Sequence, residues 1–104
     1  MTLEQFYARL RRVKRKWRVG RGGEIRCIYR KERCCPVVAV AREGGHDARG
    51  LDVIGAGTAL GLSRDEIILI ADAADDLPPP LGWGLFPHKS VEVRRTLLRA
   101  CGLA

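Results

Sequence analysis

The chain has 104 residues, 46% of them hydrophobic and 30% charged, with a formal net charge of +7. That length allows one domain, residues 1–104, with one core, and the apolar fraction is too high for a disordered basic tail. Apolar runs such as Ile67 to Ala71 are far below a membrane span, so no membrane partner is expected.

The first element is a helix. Leu3, Phe6, Tyr7, Leu10, Val13 and Trp17 recur at three- and four-residue intervals and form an apolar stripe. Thr2 caps it, with Gln5 in the capping-box position. Arg9, Arg11, Arg12, Arg15 and Lys16 cover the opposite face. Gly20, Gly22 and Gly23 then break the chain between Trp17–Val19 and Glu24–Tyr29, which predicts a β-hairpin. In the second arm Ile25, Cys27 and Tyr29 alternate with Glu24, Arg26, Ile28 and Arg30, an imperfect period of two. Lys31-Glu32-Arg33 reads as the next turn.

Pro36 to Ala41 supports two readings. Its β-branched residues favour a third strand. Pro36 at a first helical position, with Gly44-Gly45 beyond, favours a short helix, to which the balance leans slightly. Asp47 or Asp52 opens a further helix ending near Leu60-Gly61. Ser63 and Glu66 form a second capping box. In the helix they open, Ile67, Ile68, Ile70, Ala71 and Ala74 line one side, and Asp65, Glu66, Asp72, Asp75 and Asp76 the other. Pro78-Pro79-Pro80 ends it. Leu81 to Lys89 is a loop with Trp83 and Phe86 as anchors, and Ser90 caps a last helix stopped by Gly102. The expected fold class is α+β: an N-terminal amphipathic helix, a two-stranded antiparallel hairpin, then a cluster of three or four helices.

The charge is concentrated at one end. Residues 1–33 hold twelve Lys and Arg against three acids, a net +9, and residues 34–104 hold seven against nine, a net −2. Such an asymmetry is the electrostatic footprint of polyanion binding. The candidate contact residues are Arg9, Arg11, Arg12, Arg15, Lys16, Arg18, Arg21, Arg26, Arg30, Lys31 and Arg33. The bland counterpart is a solvated helix face with edge charges that guard a strand against aggregation. Tyr7 and Trp17 fall on the core-facing stripe, which suits packing better than base stacking.

Four other groupings bear on chemistry. Val53-Ile54-Gly55-Ala56-Gly57-Thr58-Ala59-Leu60-Gly61 resembles the dinucleotide-binding fingerprint, which implies a nucleotide cofactor on a strand-to-helix turn. The third glycine falls one position late and little strand precedes it, so a Gly/Ala-rich helix that admits a close neighbour fits better, and no cofactor is expected. Gly61, Ser63, Ile67 and Ile70 look like the turn of a helix-turn-helix, which implies DNA reading by the second helix. That helix offers one cation, Arg64, against five carboxylates, which phosphates would repel.

Cys27, Cys34, Cys35, His46 and His88 lack the paired knuckle of a zinc site, so no metal is expected. A helix starting at Pro36 would place Cys34 or Cys35 at its N-terminus, where a thiol is activated for nucleophilic work. Free, buried thiols are the default, with a Cys27–Cys34 or Cys27–Cys35 bridge the alternative. Cys101-Gly102-Leu103-Ala104 formally fits a prenylation box, although a helix cap explains it better.

Arg outnumbers Lys fifteen to four, usage typical of a GC-rich genome, hence of a bacterium or its phage. Cys35-Pro36 before an apolar stretch, Leu60-Gly61-Leu62-Ser63, Ala71-Asp72-Ala73-Ala74-Asp75 and Leu97-Leu98-Arg99-Ala100-Cys101-Gly102-Leu103 are together similar to small uncharacterised bacterial and prophage-type proteins. The resemblance implies no activity, only a small accessory protein that binds and modulates a host complex.

The leading expectation is therefore a non-enzymatic small binding protein. Its basic N-terminal third contacts nucleic acid without strong sequence specificity. The alternative is an interaction or inhibitor protein, prophage-encoded on the resemblance, that binds an acidic protein surface or its own copy as a homodimer. A small Cys/His enzyme comes third. The N-terminus lacks the apolar stretch of a signal peptide, so a cytoplasmic location is expected.

Overall fold

A computed structural model describes residues 1–29, 32–46, 52–76 and 87–104. Helix α1 (Leu3–Arg12) opens with the predicted capping box. The Gln5 N–H donates to Thr2 Oγ1 (3.1 Å), and the Thr2 N–H donates to Gln5 Oε1 (2.9 Å). Phe6 and Leu10 are fully buried on its inner face.

The helix ends earlier than the stripe suggests. Val13 is already extended (ψ 112°), and the Arg15 N–H donates to the Val13 carbonyl (3.0 Å), a three-residue turn centred on Lys14. From there burial alternates in twos: Val13 is buried, Arg15 and Trp17 half-buried, and Lys14, Lys16 and Arg18 exposed. Arg15 and Lys16 therefore lie on a link into the sheet, not on a helix face. Pairing of Trp17 with Cys27 outcompetes about one and a half further helical turns.

Strands β1 (Trp17–Val19) and β2 (Ile25–Tyr29) form the predicted antiparallel hairpin. Its turn closes by bonds from the Gly23 N–H to the Gly20 carbonyl (3.0 Å) and from the Gly20 N–H to the Glu24 carbonyl (2.8 Å). Gly23 sits at φ +84°, the left-handed position of a bulged turn, where a side chain would be strained. A short third strand, β3 (Glu32–Cys34), extends the sheet in the order β1-β2-β3. Glu32 and Arg33 were expected in a turn. They are drawn into the sheet because Cys34 pairs with Cys27 on the face where both side chains are buried.

Helix α2 (Pro36–Glu43) resolves the two readings of that segment in favour of helix. Pro36 stands at its start, and Val37, Ala39, Val40 and Ala41 are all buried. The packing of this apolar surface overrides the β preference of its valines. Helix α3 (Val53–Ala59) is capped by Asp52, whose Oδ1 accepts from the Gly55 N–H (2.8 Å). The other candidate cap, Asp47, lies outside the described residues.

Helix α4 (Arg64–Asp75) carries the second predicted capping box, with Ser63 Oγ accepting from the Glu66 N–H (3.2 Å) and Glu66 Oε1 from the Ser63 N–H (3.0 Å). Its final turn ends on Asp76 in a left-handed conformation (φ 55°). Pro78–Pro80 and the loop carrying Trp83 and Phe86 lie outside the described residues. Helix α5 (Pro87–Ala100) begins three residues before its expected cap, so Ser90 sits inside it. Proline's fixed φ suits a first helical position, which explains the earlier start.

Helices α2, α3 and α5 end alike. Gly45, Gly61 and Gly102 follow them with φ between +74° and +83°, and each sits in a paired bond set. At the end of α5 the Gly102 N–H donates to the Arg99 carbonyl (3.1 Å) and the Leu103 N–H to the Leu98 carbonyl (2.8 Å). The core is a single cluster joining α1, the sheet and α2 to α5, with Phe6, Leu10, Ile25, Val37, Ile67 and Leu97 among its most buried side chains. No described helix is long and apolar enough to cross a membrane.

Candidate polyanion-binding surface

The buried side of the sheet carries Ile25, Cys27 and Cys34, and β2 packs on α2 and α4. Strand alternation therefore turns Arg18 and Arg26 to the other side, where the register places them directly opposite each other. Like charges so placed repel unless a counter-ion intervenes. One carboxylate does: Arg26 Nη1 lies 3.8 Å from Glu24 Oε1. Glu24 folds over the hairpin turn because the turn is glycine there. A Cβ at Gly22 would come within 2.9 Å of its Oε2.

The hairpin tip is acidic on its other flank as well. Asp76 lies so close to Gly23 that a Cβ there would meet its Oδ2 at 2.5 Å, and Arg94 Nε holds Asp76 Oδ1 at 3.4 Å. Two carboxylates thus stand at the hairpin tip, Glu24 paired with Arg26 and Asp76 against Gly23, which weakens the tip as a phosphate site.

The eleven candidate cations divide accordingly. Arg15 is half-buried, with its Nε 3.9 Å from Glu43 Oε1. Arg26 is held by Glu24. Arg30 and Lys31 lie outside the described residues, and Arg33 is placed only by its backbone pairing with Ile28. Arg9, Arg11, Arg12, Lys16, Arg18 and Arg21 are exposed, and no carboxylate among the described side chains lies within ion-pair distance of them. Lys14, which is not among those eleven, is exposed beside them and belongs with this group. Its place between Val13 and Arg15 in a buried–exposed alternation was the available signal.

The nearby aromatics are engaged inward. Tyr7 packs edge-on to Phe6, with ring centroids 6.1 Å apart, and burial raises its pKa. Trp17 is half-buried against the core. The exposed large hydrophobics among the described residues are Val19 and Val91, and Tyr7 and Trp17 are half-buried.

The two motif resemblances resolve differently. Residues 53–59 are helical, so the glycines there make no strand-to-helix turn for a pyrophosphate. Gly57 instead lets Ile67 of α4 press against α3, where any Cβ would overlap the isoleucine side chain. Helices α3 and α4 do form a pair around Gly61. However, α4 packs against α2, α3, α5 and β2, and its exposed residues are Arg64, Asp65 and Asp75, followed by the exposed cap Asp76. Asp72, expected on the outer face, is buried at 4% exposure. The neighbours of α4 cover most of its circumference, which a two-sided reading of its periodicity does not anticipate.

The cysteines are all free. Cys35 stands at the start of α2 as expected, and backbone N–H groups of Val37 and Val38 favour its thiolate. Desolvation outweighs them and raises its pKa. Burial, reinforced by the neighbouring Cys27, pushes the Cys34 thiol up to about 12, and burial pushes Cys101 to about 12 as well. The side chain of His88 lies outside the described residues, and no group of three or more His, Cys, Asp or Glu among the described residues is placed to hold a metal.

Comparison with known protein families, with curated proteins and with solved structures finds no match to this chain.

Proposed function

We propose that the protein is a non-enzymatic binding protein whose basic N-terminal segment contacts the phosphates of nucleic acid without strong sequence specificity. The observation that carries this reading is the run Arg9, Arg11, Arg12, Lys14, Lys16 and Arg18. These cations are all exposed and have no carboxylate within ion-pair distance among the described side chains. They are consecutive along one stretch of chain that is anchored to the core by Leu10, Val13 and Trp17. Such a surface attracts polyanions and gains affinity by releasing their counter-ions. Among the described residues, the helix-turn-helix candidate α4 is enclosed and presents mainly carboxylates, which suits it poorly to reading base edges.

The test is binding to DNA and RNA as a function of salt, with protein freed of carried-over nucleic acid. The expected result is a linear fall of log affinity with log salt between about 50 and 200 mM. Absence of binding at low salt ends this reading. An acidic protein surface is the second reading, favoured by the position of β1 at an edge of the sheet beside the same cations. A pull-down complex that survives nuclease treatment would move the assignment there.

A further inference from the structure

We infer that the ligand is a duplex, gripped through its phosphate backbone alone along a strip formed by Arg9, Arg12, Lys14, Lys16 and Arg18. This rests on the nucleic-acid reading and narrows it. Arg9 and Arg12 stand three residues apart on α1 and so share one helical face. Lys14, Lys16 and Arg18 are the exposed members of the alternating segment that leads into β1. Three residues of helix and six of extended chain span at most about 25 Å, the length of roughly seven base-pair steps.

The choice of duplex over single strand follows from what the strip lacks. Proteins that favour single strands stack unpaired bases on aromatic rings beside a basic groove. Here Tyr7 is edge-on to Phe6, Trp17 is turned to the core, and no described aromatic ring is exposed. Binding without stacking follows charge density, and a duplex carries twice the charge per unit length of a single strand. Five phosphate contacts release about 4.5 counter-ions from a duplex and about 3.5 from a single strand. Extrapolated from a common affinity at about 1 M salt, the duplex binds roughly tenfold tighter at about 0.1 M.

The experiment compares a short DNA duplex, the matching RNA duplex and each separate DNA strand, all against the full chain across the same salt range. A duplex of either kind binding roughly tenfold tighter than the single strands supports the proposal, and the tighter duplex identifies the natural source. Single strands that bind as tightly as either duplex, with quenching of tryptophan fluorescence, overturn it. The combined variant Lys14→Gln, Lys16→Gln, Arg18→Gln should lower the magnitude of the duplex salt slope by about 2.7, three phosphates at 0.9 each. Arg95→Gln with Arg99→Gln, exposed cations on α5, should leave the slope unchanged. Equal slopes for the two variants would also overturn the proposal, provided both melt like the parent chain. If no probe binds at low salt, the failure belongs to the nucleic-acid reading itself.

Discussion

Arg94 of α5 donates from Nη1 to the carbonyl oxygen of Ala73 at 2.9 Å, in the last turn of α4. The same guanidinium holds Asp76, the residue that ends α4, at 3.4 Å. A cation at a helix C-terminus satisfies an orphan carbonyl and opposes the negative end of the dipole. Arg94→Ala should therefore lower stability by about 1–3 kcal/mol, most of it from the bond to the carbonyl. The half-exposed ion pair with Asp76 adds little. Thermal melting checks this, and Asp76→Asn should cost much less than Arg94→Ala.

The close approach of α3 to α4 predicts a second result. Gly57 is buried, and a methyl group there would overlap the fully buried Ile67. On a helix, alanine is ordinarily better than glycine by up to about 1 kcal/mol. Gly57→Ala should nevertheless destabilise the protein, by about 1–3 kcal/mol of overpacking. At exposed Gly44, where an added Cβ meets nothing closer than 3.4 Å, alanine should be tolerated. Denaturant unfolding of the two variants separates these outcomes.

Asp75 gives the pH dependence. Partial desolvation, with Asp72 and Glu24 nearby, raises its carboxyl pKa above the ordinary 3.8. The folded state therefore holds this proton more tightly than the unfolded chain, and its contribution to stability falls as pH rises from 3.8 through the raised value. Asp75→Asn should raise the melting temperature at neutral pH, and the gain should shrink once the pH drops below the ordinary carboxylate range. A gain that persists unchanged at low pH would contradict this electrostatic cause.

The thiols give the last prediction. With Cys34 and Cys101 pushed up to about 12 and Cys35 raised, little thiolate is present at neutral pH. Alkylation of the native protein at these positions should be slow and should accelerate on unfolding, when four free thiols become reactive. Mass spectrometry of timed samples would show it. Rapid modification of Cys35 in the native state would restore the nucleophile that its place at the start of α2 suggested.

What was legible in the sequence is local. The Thr2–Gln5 and Ser63–Glu66 boxes, the Asp52 cap, the glycine turn of the hairpin and the stop at Gly102 involve partners within a few residues of one another. Short-range hydrogen bonding and backbone sterics decide such features, so residue type and spacing announce them. The excess of cations before residue 34 is likewise a property of composition.

Tertiary packing decided the rest. It ended α1 at Arg12 by pairing Trp17 with Cys27, and it made β3 from residues that spell a turn. It buried Asp72 by surrounding α4, and it set Arg15 against Glu43, twenty-eight residues away in the chain. Each outcome depends on which segments meet across the core, and burial and ion pairing are properties of those meetings. The sequence alone determined that one end of the protein is basic. Only the fold separated the cations paired with carboxylates, Arg15 and Arg26, from those that stand exposed.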